Sequence, residues 1–87
     1  MNEKVKVTFT ELTSQRHAEV VLSTILTGKD LIEKLRNAKF LAELQRGETY
    51  ILHHKRSGNE IGPDTSLAQV GIQQNDVITV GVDTRGG

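Results

Sequence analysis

In four stretches of the chain, apolar and polar residues alternate, and this period of two is typical of half-buried β-strands. The stretches are residues 4–10, 17–23, 49–54 and 77–82. Each has one apolar side, as in the first stretch, where Val5, Val7 and Phe9 alternate with polar residues. Only a polar segment separates the first two stretches, so we expect them to form an antiparallel hairpin.

After Thr27 the pattern changes to the period of a helix. Leu31, Ile32 and Leu35 recur at three- and four-residue spacing, which places one apolar stripe along a helix. Thr27 is a suitable N-cap, and Asp30 can return a hydrogen bond to it in a capping box. The stripe predicts that this helix packs on a sheet.

Two further segments favour helical structure. Residues 38–46 contain good helix formers, and they either extend the first helix or form a second short one before Gly47. Later in the chain, Thr65 or Ser66 can cap a single helical turn that contains Leu67. The order of elements is therefore strand, strand, helix, strand, helical turn, strand.

This order predicts a two-layer α+β domain. A helix between the second and third strands requires a crossover, whereas the opening hairpin is antiparallel, so we expect a mixed sheet of four or five strands. One face of the sheet is covered by the helix. The expected core consists of Val5, Val7, Phe9, Ala18, Val20, Leu22, Leu31, Leu35, Leu52, Ile61, Leu67, Ile72, Ile78 and Val80.

Composition and charge narrow the functions that such a domain can serve. The chain has 87 residues, enough for one domain, and its 11 Lys and Arg balance its 11 Asp and Glu. The broad positive field that attracts nucleic acid is therefore missing. It has no Cys, which suits a reducing cytoplasm, and no stretch approaches the ~20 apolar residues of a membrane span. We expect a cytoplasmic protein that binds neither nucleic acid nor a membrane.

Side chains that could hold a metal or catalyse a reaction are sparse. His53 and His54 are adjacent on a predicted strand, so their side chains point to opposite faces and cannot coordinate the same metal ion. With Lys55 and Arg56 they form a basic edge that could meet an acidic partner, although we interpret it as a solvated hairpin. No histidine and carboxylate are spaced so as to activate a Ser or Thr. The sequence predicts no metal site, no cofactor and no enzyme.

Several of these features occur together in a known family. They are the capped helix start Thr27-Gly28-Lys29-Asp30-Leu31 with Leu35, the spacing of Leu67, Ile72, Ile78 and Val80, and the terminal triplet Arg85-Gly86-Gly87. On these residues the chain resembles the ubiquitin family of β-grasp proteins over essentially its full length. Residues 50–80 are most similar to bacterial ubiquitin-like proteins.

The resemblance implies a protein modifier that reacts through its C-terminal carboxylate. Gly87 would carry that carboxylate, while Gly86 and Arg85 fit the channel of a partner enzyme, since glycine without a Cβ allows close approach. Residues 1–82 would form the domain and residues 83–87 a flexible tail. The implied partners are an adenylating activating enzyme, a conjugating enzyme, a deconjugating peptidase and target proteins.

The apolar recognition patch of the family is not reproduced in this sequence. Its final-strand positions correspond to Thr79 and Gly81, neither of which is a good anchor. Leu12, Ile51 and Val82 are candidates for a different partner surface. The other interpretation is that they are ordinary scattered apolar residues of a protein surface.

Two other functions are compatible with the same resemblance. A sulfur carrier shares the fold, the terminus and the adenylation step, but it ends as a thiocarboxylate. A non-covalent β-grasp adaptor, such as those of bacterial secretion machinery, would not need the tail at all. The sequence leaves these alternatives open.

Overall fold

The computed structural model describes residues 4–12, 15–41 and 43–84, and its elements follow the predicted order with one addition. The elements are β1 (Lys4–Glu11), β2 (Arg16–Ser23), α1 (Gly28–Asn37), β3 (Glu48–His54), β4 (Asn59–Ile61) and β5 (Asp76–Thr84). The addition is β4, which has three residues and pairs with the end of β3. A strand of this length is too short to show a period of two.

The five strands form one mixed sheet in the order β2-β1-β5-β3-β4. β1 pairs antiparallel with β2, as expected for the opening hairpin, and β3 pairs antiparallel with β4. β5 lies between the two hairpins. It runs parallel to β1, with Asp76 opposite Val7, and antiparallel to β3, with Val80 opposite Leu52. The prediction of a mixed α+β sheet with one helix is confirmed.

The start of α1 is the predicted capping box. The Oγ1 atom of Thr27 accepts a hydrogen bond from the Asp30 N–H at 3.3 Å, and Oδ2 of Asp30 accepts one from the Thr27 N–H at 3.1 Å. Gly28 packs so tightly that a Cβ atom there would collide with the carbonyl oxygen of Gly62. The helix therefore begins directly against the backbone that follows β4.

The end of α1 differs from both predicted alternatives, because no described residue of 38–46 is helical. Lys39 has a φ of 56°, and the Phe40 N–H donates to the Leu35 carbonyl at 3.0 Å, which terminates the helix. Phe40 and Leu41 then pack against the core. Tertiary packing outweighs the helix propensity of this segment.

The core between α1 and the sheet consists entirely of residues that the pattern predicted. The buried apolar residues are Val7, Phe9, Leu22, Leu31, Leu35, Leu52, Ile61, Leu67, Ile72, Ile78 and Val80. Val5, Ala18 and Val20 were also expected there and are half-buried. Near Leu67 the predicted helical turn is a series of hydrogen-bonded turns, in which Ser66 Oγ accepts from a backbone N–H at 3.2 Å.

The last strand is longer than its alternating pattern predicted. β5 continues through Asp83 and Thr84, which lie opposite Thr49 and Glu48 of β3. The first two residues of the predicted tail, 83–87, therefore belong to the sheet, because β3 offers them a partner. The remainder of that tail lies outside the described residues.

Candidate functional site

β5 is the strand that leads to the predicted reactive end of the chain. It is paired on both sides from Ile78 to Val80 and remains paired with β3 as far as Thr84. The N–H of Leu12 adds a further hydrogen bond to the Val80 carbonyl, at 2.9 Å. Gly87, Gly86 and Arg85 lie outside the described residues. The structure therefore describes the chain as far as Thr84, the last residue of β5.

Two of the three residues of the predicted partner surface meet on the sheet. Ile51 is the register partner of Gly81, on the side of β5 that faces away from the buried Ile78 and Val80. A Cβ atom built on Gly81 would lie 3.5 Å from Cγ2 of Ile51 and 3.5 Å from Cδ1 of Leu12. Leu12 is 55% exposed. Leu12 and Ile51 thus lie together over the buried Gly81, on the face of the sheet opposite α1.

Val82, the third predicted residue, does not join them. It is the register partner of Tyr50, one position beyond Gly81 on β5. Successive residues of a strand point to opposite faces, so Val82 lies on the same side as Ile78 and Val80. The structure brings Leu12 and Ile51 together and separates Val82 from both.

The first residue of β5, Asp76, is the centre of a polar cluster. It is 9% exposed, and its Oδ2 atom lies 2.7 Å from Nε2 of the fully buried His54. Arg56 donates to both carboxylate oxygens, at 3.2 and 3.1 Å, and the Gln73 N–H donates at 2.9 Å. Burial raises the pKa of Asp76, but the hydrogen bonds from Arg56, His54 and Gln73 outweigh it and lower the pKa to about 2.

The same cluster aligns a serine, a histidine and an aspartate. The Oγ atom of Ser57 lies 2.9 Å from Nδ1 of His54 and accepts a hydrogen bond from the Asn59 N–H at 3.2 Å. An ionised carboxylate only accepts, so Nε2 of His54 carries the proton that is shared with Asp76. The imidazole has no exposed surface that a substrate could reach. Ser57, in contrast, is exposed.

This cluster joins two separate turns of the chain. His54, Arg56 and Ser57 belong to the end of β3 and the turn that follows it, while Asp76 follows the turn before β5. Arg56 also donates to the Gly71 carbonyl at 2.9 Å. The sequence interpretation of residues 53–56 as a solvated basic edge is wrong for His54, which is fully buried, whereas Arg56 is exposed although it pairs with Asp76.

The alternation along β3 contained a signal for the buried histidine. Leu52 points into the core, so His54, two residues later, points the same way. Its partner Asp76 is 22 residues away, and only the pairing of β3 with β5 brings them together.

Among the described residues, no cluster of His, Asp or Glu is placed to hold a metal ion. In the same part of the chain, no helix has the length and apolar character needed to cross a membrane.

Comparison with known proteins identifies the fold. No protein-family model and no curated protein matches this sequence. The ubiquitin of Caldiarchaeum subterraneum superposes with a TM-score of 0.72 over 98% of this chain and 100% of that one, at 19% identity. A ubiquitin-like domain from Arabidopsis thaliana gives a TM-score of 0.68 over 90% and 76% of the two chains, at 22% identity.

A third similar structure comes from an enzyme assembly. It is a chain of the toluene 4-monooxygenase HD complex with the inhibitor 4-bromobenzoate, with a TM-score of 0.73 over 93% of this chain and 100% of that one, at 17% identity. At such identities the likeness concerns the fold alone. This chain has the ubiquitin-like β-grasp fold.

Proposed function

We propose that this chain is a ubiquitin-like protein modifier and that the Gly87 carboxylate is its reacting group. The observation that carries the proposal is the triplet Arg85-Gly86-Gly87, which directly follows β5 in a chain with the ubiquitin-like fold. Glycine has no Cβ, so two glycines in succession suit a narrow enzyme channel. Arg85 can pair with an acidic wall of that channel.

The proposed chemistry uses the carboxylate as a substrate of other proteins. The carboxylate attacks the α-phosphate of ATP and forms an acyl-adenylate, with release of pyrophosphate. A cysteine thiolate of a partner then displaces AMP and forms a thioester. Finally, a target amine displaces the thiol and forms an amide. The partner must supply the thiol because this chain has no Cys.

The face of the sheet that α1 leaves uncovered is the proposed contact for these partners. Leu12 and Ile51 lie there on either side of Gly81, and Gly81 is only six residues before the reacting Gly87. A protein that covers Leu12 and Ile51 is close to the end of β5. Val82 is not part of this surface, because it lies on the other side of β5.

Two other roles remain candidates. The likeness to a chain of the toluene 4-monooxygenase complex favours a non-covalent component of an assembly, a role that does not use the terminal carboxylate. A sulfur carrier would use the carboxylate and the adenylation step, but the adenylate would react with a sulfur donor. Both roles predict a product different from an amide-linked conjugate.

The deciding experiment compares the full chain with a variant that lacks Gly86 and Gly87. Each is incubated with ATP and an activating enzyme from the same organism, and intact masses are measured. We expect an ATP-dependent thioester only with the full chain, and excess thiol should cleave it by displacing the enzyme's cysteine thiolate. An Asp64→Asn variant, which changes an exposed residue, serves as the matched control.

The possible outcomes separate the three roles. Equal adduct formation by the truncated variant would refute the modifier role, provided that circular dichroism shows an intact fold in both. A terminal thiocarboxylate in the presence of a sulfur donor, without amide-linked products, identifies a sulfur carrier. Stable assembly with a partner by the truncated variant, without any adduct, identifies a non-covalent component.

A further inference from the structure

An open cleft of about 850 Å³ lies on the helix side of the sheet, beside the end of α1. Its walls come from the end of β1, the start of β2, the last turn of α1, the segment after the helix, and β3. The lining residues are Glu11, Arg16, Arg36, Lys39, Leu41, Glu43, Leu44 and Tyr50. The proposed function does not use this cleft.

Three cations from three parts of the chain meet at the cleft. Arg16 begins β2, Arg36 is in the last turn of α1, and Lys39 follows the helix. Within the described ranges, none of the three forms a salt bridge. Arg16 Nη1 donates a long hydrogen bond, 3.4 Å, to the Lys39 carbonyl. Their charges are therefore available to a ligand.

The backbone at Lys39 has a left-handed conformation, with a φ of 56°. The N–H of Phe40 donates to the Leu35 carbonyl and the N–H of Lys39 donates to the Arg36 carbonyl, so Lys39 occupies the left-handed position of a Schellman cap. Glycine is favoured at this position, and a residue with a Cβ is less stable there. The helix dipole alone does not explain Lys39, because Lys34 and Arg36 already provide cations in the last turn.

Besides the three cations, the lining holds two carboxylates and three apolar residues. Glu11 is buried and Glu43 is exposed, so the cations outnumber the carboxylates that a ligand would meet. Leu41, Leu44 and the ring of Tyr50 line the cleft beside the cations, and Leu44 is 37% exposed. A free inorganic anion would leave this apolar surface in water. A peptide with both acidic and apolar side chains would cover it while its carboxylates pair with the cations.

We propose that this cleft binds a segment of a partner protein that carries both acidic side chains and apolar side chains such as leucine. Its carboxylates contact Arg16, Arg36 and Lys39, and its apolar side chains contact Leu41, Leu44 and Tyr50. Binding is non-covalent and separate from the chemistry of Gly87. Tyr50 is the register partner of Val82, so the cleft adjoins the last residues of β5, and a partner bound there lies close to the start of the tail.

The proposal is tested with a short, end-capped peptide of alternating glutamate and leucine. It is titrated into the ¹⁵N-labelled chain, and amide shifts are followed by NMR. We expect saturable shifts at residues 36–44 and at Tyr50. Binding should weaken as ionic strength rises to roughly 0.5 M, because partly exposed charges are screened.

Matched variants locate the site. Arg36→Gln and Lys39→Gly should each weaken binding by about fivefold, the effect of losing one favourable charge pair of roughly 1 kcal/mol. Lys39→Gly should also raise the melting temperature, since glycine fits the left-handed position, so its weaker binding cannot be attributed to unfolding. Lys29→Gln, which changes an exposed lysine at the other end of α1, and removal of Gly86 and Gly87 should leave binding unchanged.

Several outcomes would overturn the proposal. Shifts centred on Leu12 and Ile51 would place the peptide on the opposite face of the sheet. Equal binding of a glutamine–leucine peptide would remove the role of charge. Identical shifts with inorganic phosphate would indicate a simple anion site, and no shift at a large excess of peptide would exclude the cleft as a peptide site.

Discussion

Replacing Asp76 with Asn tests how strongly the buried polar cluster stabilises the domain. The change keeps the shape of the side chain but removes the negative charge of the carboxylate, which accepts hydrogen bonds from His54, Arg56 and the backbone N–H of Gln73. The pKa of Asp76 is lowered from 3.8 to about 2, so its ionised form is stabilised by about 2 kcal/mol in the folded state. Asp76→Asn should reduce the free energy of unfolding by about this amount at neutral pH.

The same shift predicts how the stability difference depends on pH. The carboxyl of Asp76 has a lower pKa in the folded state than in the unfolded state. Its contribution is therefore complete above pH ~4 and is lost as the pH falls towards about 2, where the folded state also takes up the proton. The difference between the native chain and Asp76→Asn should be constant from pH 7 to pH ~5 and should shrink between pH ~4 and pH ~2.

The measurement is urea unfolding followed by circular dichroism at a series of pH values. Asp64→Asn, at an exposed position, is the control and should change stability by less than about 0.5 kcal/mol. In a thermal melt, Asp76→Asn should lower the midpoint by roughly 8–16 °C. A loss below about 0.5 kcal/mol at neutral pH would contradict the reasoning, as would a difference that persists unchanged to pH ~2.

Three further variants test the fold by the same unfolding measurement. Gly28→Ala should destabilise the domain by about 1–3 kcal/mol, because the alanine Cβ would collide with the Gly62 carbonyl. This loss is expected even though alanine favours helices, and an unchanged stability would contradict the close packing. Thr27→Ala removes the N-cap and should cost about 1 kcal/mol, and no loss would show that the capping box is dispensable. Phe9→Ala should reduce the free energy of unfolding by about 3–5 kcal/mol. Val21→Ala, at a side chain that is 61% exposed, should change it by less than about 0.5 kcal/mol. Similar values for the two variants would contradict the assigned core.

The period of the apolar residues was sufficient to predict most of the sheet and its core. It placed β1, β2, β3 and β5, and the cap and turn signals around Leu67 supplied the other buried apolar residues of the described core. It missed β4, because three residues do not establish a period. It also favoured helix for residues 38–46, where the left-handed Lys39 and the packing of Phe40 and Leu41 end the helix instead.

The candidate site was less accessible to sequence reasoning because it depends on which strands are neighbours. The pattern predicts that His54 points inward, but its pairing with Asp76 requires the knowledge that β3 and β5 are adjacent. The grouping of Leu12 and Ile51 around Gly81 has the same origin. For Val82, strict alternation from Ile78 and Val80 was enough to exclude it from that surface.

The position of β5 has a consequence for biosynthesis. Of the described strands, β5 is synthesised last, and it fills the middle of the sheet, so the two earlier hairpins share no strand pairing until it is made. Isolated hairpins are marginally stable in water, and their unpaired edges invite association with foreign strands. A ribosome that stalls before residue 76 would hold two such fragments, vulnerable to aggregation until a chaperone or a protease reaches them.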